Sequence, residues 1–498
     1  MKNNLIIVVT LFFLQAIVSC STQDLVDCSA SMKDIDTQLQ NKTLLKTVTE
    51  ENGKYTLTFE DHSIQLPSSV VQSITTDTAL WKTELTLVNG TSYNIPTLGS
   101  SIDRFISSVK INPSTYNPLA AKVVLHLPVL GYMKVTVHSK PGKITPDVEY
   151  TYHSAETQQD LIVLGLYPNY DNQVTLTYLD MNGNERASSH VIMRTEALSH
   201  PKLPKSITVT KLNYAKMEPG MTLVNSPGES EADTSIPYMI DADGEIRWAI
   251  DWREHPILNH IAIRCGLTRM SNGHYLTGDG NHHYLLELNV LGEIVHKWDL
   301  QEMGYTFHHA TSETSDGKIL SNVSKVTAKL SHSTNPRVND FIIKMDPKTG
   351  EVLKEWDLVQ MLDSARYGLT DTGSQKIKFE QTASNWAHAN GIIQIGSDYL
   401  ATARYQGIFK FNDMGGVKWI ISPHKGWRMK YRNILLTPLH KDGTPITDKD
   451  VIDGTKACSD FEWPWGVHDA VLLPNGHYMA FDNGYGRYFT MIPKEGLT

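Results

Sequence analysis

Three histidines occupy one repeated position in this chain. His309, His388 and His468 each lie eight residues before a glycine that marks a tight turn, at Gly317, Gly396 and Gly476. In the preceding repeat the same position, counted back from Gly273, holds Cys265. A lone histidine at a strand end is usually structural, hydrogen bonded through a ring nitrogen. Three in one register instead point to imidazoles that converge on a shared pocket. The loops after the same hairpins add polar candidates: Arg404 in Ala403-Arg404-Tyr405-Gln406-Gly407, and His282 and His283 in Gly280-Asn281-His282-His283. Asn390, two residues beyond His388, falls on the same face of an extended chain.

Several histidines, an arginine and an asparagine, with no pair of carboxylates, suit the transfer of a sulfuryl or phosphoryl group. Such a group carries its charge on equatorial oxygens, so donors that clamp those oxygens lower the barrier. An arginine fork and histidine or asparagine N–H groups are donors of that kind. An imidazole is largely unprotonated at neutral pH and can itself be the nucleophile. Converging histidines are also first-row metal ligands, but no HxH or HExxH spacing supports a metal centre, and neither a metal nor a cofactor is expected. A non-catalytic binding propeller and a metal-dependent hydrolase are the competing readings.

The elements that must position these residues announce themselves from about Ser206 onward. One recurring signature runs from Asp or Asn through Gly into an apolar strand ending in Trp: Asp241 to Trp248, Asn289 to Trp298, Asp346 to Trp356 and Asn412 to Trp419. The other is a hairpin with glycine at its tip, at Asn272-Gly273, Asp316-Gly317, Gly396-Ser397 and Asn475-Gly476. Two hairpins per repeat make four antiparallel strands, one blade of a β-propeller. Gly317 to Gly396 spans 79 residues and Gly396 to Gly476 spans 80, well above the roughly 40–45 of a plain blade. Insertions are therefore placed at Asp363 to Ala383 and His424 to Phe461, as loops on a blade face where binding residues gather. The chain stops partway through a blade, so the propeller is read as incomplete at its C-terminus.

Upstream, apolar–polar alternation in Lys134-Val135-Thr136-Val137 and Val174 to Tyr178, followed by the Met181-Asn182-Gly183-Asn184 turn, predicts a β-sandwich over 104–200. Residues 20–103 read as a tether and a small accessory β module. Lys2, the apolar run from Leu5 to Val18, and Ser19-Cys20 form an export signal over 1–19, too short to span a membrane. Ile17-Val18-Ser19-Cys20 has the form of a lipobox, which predicts a lipid on Cys20 and a tether to the cell envelope or the periplasmic face of a membrane. With Cys20 set aside, Cys28, Cys265 and Cys458 are widely spaced and read as isolated thiols. The net charge of −9 and the lack of a basic stripe exclude nucleic acid as a partner. A homodimer is left open.

The stretches Asn385-Trp386-Ala387-His388-Ala389-Asn390, Arg404-Tyr405-Gln406-Gly407, Val417 to Ile420 through Lys425-Gly426-Trp427, and Phe481-Asp482-Asn483-Gly484 resemble the bacterial aryl-sulfate sulfotransferases that do not use a nucleotide sulfate donor. The likeness extends from about Ile111 to the chain end. It implies an all-β protein, an N-terminal β-sandwich followed by a six-bladed propeller. It also implies ping-pong exchange between a phenolic sulfate donor and a phenol acceptor through a sulfohistidine. By this comparison His468 matches the nucleophile, while His388, Asn390, Arg404 and His282 match residues around the transferred group, with His283 or Tyr284 as alternatives to His282. His388 and Arg404 are the catalytic candidates beside His468; His309 joins Asn390 and His282 as a substrate-binding candidate. The family carries a cysteine pair shortly before the nucleophile; here Cys458 stands alone, and no disulfide is expected there.

Overall fold

The computed structural model describes residues 44–226, 235–262, 266–325, 340–367, 369, 385–484 and 486–489. Residues 1–19, where an export signal is expected, and Cys20, Cys28 and Cys265 lie outside the described residues. The chain forms two compact units, one of residues 1–223 with 238–249, the other of 224–237 with 250–498. Nearly all regular structure is antiparallel β, and among the described residues no helix is long and apolar enough to cross a membrane.

The first unit begins with two three-stranded sheets. One holds Leu45–Glu51, Lys54–Phe59 and Ser63–Pro67, the other Val71–Asp77, Lys82–Leu87 and Ser92–Pro96. Period-two alternation turns Leu57, Phe59, Leu66, Leu85 and Ile95 into one shared cluster. A five-stranded sheet follows, made by Ile106–Ile111, Ala121–Val137, Val148–Val163, Asp171–Leu179 and Glu185–Arg194. The long Ala121–Val137 strand changes partner along its length, pairing with Ile106–Ile111 at one end and Asp171–Leu179 at the other. The Met181-to-Asn184 segment makes the expected turn, with Gly183 at φ 81° and the Asp180 N–H donating to Asn184 O at 3.0 Å. In the same unit Arg247 is fully buried. Its charge is met by Asp241 at 2.9 Å and by the Gly165 carbonyl at 2.7 Å, as a buried guanidinium requires.

The second unit is a run of blades. Blade 1 is Thr268–Arg269, Tyr275–Gly278, Tyr284–Leu288 and Ile294–Asp299; blade 2 is Thr306–Glu313, Ile319–Ser324, Asp340–Met345 and Val352–Asp357. Blade 3 is Ala389–Ile395, Asp398–Ala403, Gly407–Asn412 and Val417–Ile421, and blade 4 contributes His468–Leu472 and Tyr478–Phe481. Each Asn-Gly, Asp-Gly or Gly-Ser signature sits at the hairpin where the sequence pattern places it. The inner strands of blades 2, 3 and 4 pack side by side.

The tryptophans of the repeat have a definite task. Trp298, on the last strand of blade 1, donates its indole N–H to Pro347 O in the outer turn of blade 2, at 3.2 Å. Trp356, on the last strand of blade 2, does the same to Asp413 O in the outer turn of blade 3, at 3.0 Å. Each indole thus buries its ring between blades and satisfies its one donor on the neighbour. Trp356→Phe removes the donor and one ring of the buried indole, so it is expected to lower unfolding free energy by more than about 1 kcal/mol, the net worth of one such bond. Urea denaturation of the two proteins side by side measures this.

Candidate active site

The three histidines meet. One ring nitrogen from each of His309, His388 and His468 lies within 4.8 Å of the others, and all three residues are half-buried. The His309 and His388 rings pack edge to face at 4.6 Å between centroids, and His309 and His468 lie at 5.9 Å.

The local backbone explains why these side chains leave the blade plane. In each inner strand the pairing register breaks beside the histidine: between Phe307 and Thr311, between Ala389 and Gly391, and between His468 and Val471. Such bulges re-aim a side chain and end regular pairing. His309 and His388 adopt left-handed backbone at φ 63° and 58°, as does Asp469, the neighbour of His468, at 46°. Conformations of this kind cost roughly 1–3 kcal/mol each in non-glycine residues and persist where surrounding structure enforces them, often at functional sites.

Hydrogen bonds fix which ring nitrogen carries a proton. His468 Nδ1 lies 3.0 Å from Gly466 O and 3.0 Å from Asn483 Nδ2; in the tautomer that donates Nδ1–H to the carbonyl, Nε2 keeps its lone pair. Asn483 braces this arrangement, donating to the same Gly466 carbonyl at 3.0 Å. His388 Nδ1 faces Asn385 Oδ1 at 3.0 Å, which again leaves Nε2 as the basic atom. His309 differs. His308 Nδ1 donates to Ala389 O at 3.1 Å and also lies 3.3 Å from His309 Nδ1. His309 Nδ1 is therefore an acceptor, and its Nε2 is the N–H donor.

Burial holds all three imidazoles neutral. His309 is held well below its ordinary value, first by loss of solvent and then by electrostatic interaction with His308, His388, His468 and Arg404, which disfavours a second positive charge there. His388 is lowered to about 4, chiefly by burial, with Asp340 opposing the shift and Arg404 adding to it. His468 is lowered by burial and by Arg404, against an opposing hydrogen bond from Gly466. Arg404 bears on all three, so its guanidinium charge sits by the cluster. Its backbone N–H donates to His388 O at 2.9 Å, which ties the loop to the histidine. A cleft beside it is lined by Arg404, Tyr405, Trp465 and Phe489.

Two expected substrate contacts have other partners. Asn390 is 1% exposed; its amide donates to Val467 O at 2.7 Å and its carbonyl accepts from Thr402 Oγ1 at 2.7 Å. It lies beneath the site and holds the residue just before the His468 strand. Next to it, an added Cβ on Gly391 would sit 2.3 Å from Thr402 Oγ1 and 3.0 Å from the Asp469 backbone, so glycine lets blade 4 approach closely here. His282 is not part of the three-histidine cluster. Its Nδ1 is bonded to the buried Asp279 at 2.5 Å, and its ring stacks on Tyr284. His283, the alternative, has left-handed backbone at φ 58°. Trp386 and Trp463 are core residues.

The structure also adds residues that the sequence pattern did not single out. Asp340, buried in blade 2, accepts from the Ala389 N–H at 3.0 Å and lies 3.4 Å from His308 Nε2. His308, Asp340, Asn385 and Asn483 orient the histidines from behind. Asn385 and Asn483 lie in the stretches that carry the family resemblance and His308 adjoins His309, whereas Asp340 left no trace in the sequence.

The depressed histidines also set a stability slope. Between about pH 6.5 and the lower folded-state values, the unfolded chain binds protons that the folded chain does not, so stability falls as pH drops through that range. His388→Gln removes one such group while keeping a polar side chain. The variant's melting temperature is expected to fall less than the parent's between pH 7 and pH 4, measured by calorimetry.

Comparisons with known proteins follow the same lines. The arylsulfate sulfotransferase AssT of Lelliottia amnigena is 27% identical over 452 residues, covering 77% of this chain and 74% of that one. The arylsulfate sulfotransferase AssT of Escherichia coli O6:H1 is 27% identical over 455 residues, with the same coverage of 77% and 74%. Among solved structures, a catalytically inactive virginiamycin B lyase from Staphylococcus aureus covers 86% of this chain and 89% of its own, at 9% identity and a TM-score of 0.25. Residues 108–196 match the arylsulfotransferase Ig-like domain. Residues 206–494, more than half of the sequence, match the family described as Arylsulfotransferase (ASST), and the chain belongs to that family.

Proposed function

We propose that the chain moves a sulfuryl group from a phenolic sulfate ester to an acceptor phenol in two steps, through a sulfohistidine on His468. The observation that carries this reading is the convergence of three imidazoles of depressed basicity beside Arg404, with the Gly466 carbonyl at His468 Nδ1 to receive its proton and leave Nε2 as the nucleophile. In the first step His468 Nε2 attacks sulfur, the sulfur–aryl oxygen bond breaks, and the phenolate leaves with the bonding pair. In the second step the acceptor phenol gives its proton to His388 Nε2, its oxygen attacks sulfur, and the sulfur–nitrogen bond breaks to restore His468. Arg404 and the His309 Nε2–H hold the equatorial oxygens through both steps. Bound sulfate brings negative charge beside His388 and raises its basicity toward the working range. Tyr405 and Trp465 offer aromatic walls to the phenol ring.

Intact-protein mass spectrometry after brief mixing with an aryl sulfate and no acceptor tests the intermediate. One added sulfuryl group on His468, discharged by a phenol and missing in His468→Asn, is the expected result; a folded chain that turns over without labelling His468 overturns it. His388→Gln is expected to slow transfer by about 10²–10⁴-fold, the usual range for one acid–base group. The loss should be larger with weakly acidic acceptor phenols, whose attacking oxygen most needs its proton removed, and a series of acceptors reads this out.

The export signal and Cys20 support a lipid-tethered enzyme at the cell envelope. Metabolic labelling with a tagged fatty acid should mark the expressed chain and fail with Cys20→Ala. Labelling that survives the substitution rejects the anchor.

A further inference from the structure

Away from the three histidines, a second cluster of metal-ligating side chains sits in the long insertion between blades 3 and 4. His440, Cys458 and Asp460 place a nitrogen, a sulfur and an oxygen within 4.8 Å of one another, each residue half-buried. Cys458 has no cysteine or histidine close to it in sequence; the fold brings a histidine from 18 residues upstream near it.

The geometry is organised around one carboxylate. Asp460 Oδ1 accepts from Cys458 Sγ at 3.2 Å and lies 3.0 Å from His440 Nδ1, while Asp460 Oδ2 lies 3.2 Å from His440 Nδ1 and is held by the Lys441 backbone N–H at 3.2 Å. His440 thus faces both carboxylate oxygens and Cys458 faces Oδ1. His440 is fixed by a tight turn in which its own N–H donates to Thr444 O at 2.9 Å and Gly443 N–H donates back to His440 O at 2.9 Å. In a tetrahedral zinc site with ordinary bond lengths, ligand atoms stand about 3.4 Å apart for nitrogen and oxygen and about 3.6 Å for sulfur and oxygen. The observed separations fall short of these by only about 0.4 Å, a side-chain adjustment.

We infer that His440, Cys458 and Asp460 form a three-ligand site for a zinc-class divalent transition metal, with a fourth position open to water. A thiolate, an imidazole and a carboxylate together favour zinc or cobalt over magnesium or calcium, which take oxygen ligands. Binding replaces the Cys458 S–H with a sulfur–metal bond and releases that proton to solvent. The ion would join the His440 turn to the segment that leads, ten residues after Cys458, to His468.

The test uses the full chain, reduced, stripped with a chelator and titrated with Co²⁺ alone. One equivalent should bind with a thiolate-to-cobalt charge-transfer band. The band should vanish in Cys458→Ser and in Cys458→Ala, either of which suffices if circular dichroism shows it folded. His440→Asn should weaken binding more than about 100-fold, beyond the usual effect of losing an outer-shell partner. A triple His309, His388, His468→Asn variant should keep the band, which separates this site from the three-histidine cluster. Absence of a thiolate band in the folded parent, its survival in the Cys458 variants, or unchanged affinity in His440→Asn overturns the assignment.

Discussion

The site depends on one repeated break in strand pairing. An unbroken inner strand would alternate its side chains between the two faces of the blade. Dropping register beside His309, His388 and His468, with left-handed backbone at two of them and next to the third, sends the rings out of that alternation toward one point. The strain is borne by the blades. Their packed interiors, the tryptophan bonds from blade to blade and the close approach allowed by Gly391 leave the bulges no easy way to relax.

Burial then does the electronic work. A water-exposed imidazole near its ordinary value would be partly protonated in mildly acidic surroundings; these three are pushed toward neutrality by desolvation and by a shared arginine. The same rings are differentiated by their partners. An amide behind the site places the proton on Nδ1 in His388, His308 places it on Nε2 in His309, and His468 Nδ1 faces both the Gly466 carbonyl and the Asn483 amide nitrogen. One residue type thereby supplies both lone pairs and an N–H donor, a division of labour that composition alone does not reveal.

Contacts give several nominated residues partners that pattern does not encode. Asn390 shares a face with His388 in an extended strand, yet its amide is consumed by Val467 and Thr402 beneath the site. His282 follows the right hairpin but is held by Asp279, because an aspartate three residues earlier offers a nearer partner. Cys458 looked solitary because its neighbours in space, His440 above all, come from a different turn of the same insertion.

The sequence by itself determined the blade pattern, since glycine-tipped turns and alternating strands are local, and it determined the histidine register, since a rotational repeat carries equal sequence offsets to equivalent places. It could therefore nominate His309, His388, His468 and Arg404 together. Tertiary structure decided what local pattern cannot encode: which nitrogen of each ring bears the proton, how far burial depresses its basicity, and that Asp340, Asn385 and Asn483 stand behind the rings. Those properties arise from groups distant in sequence and near in space, and only packing brings them into range of one another.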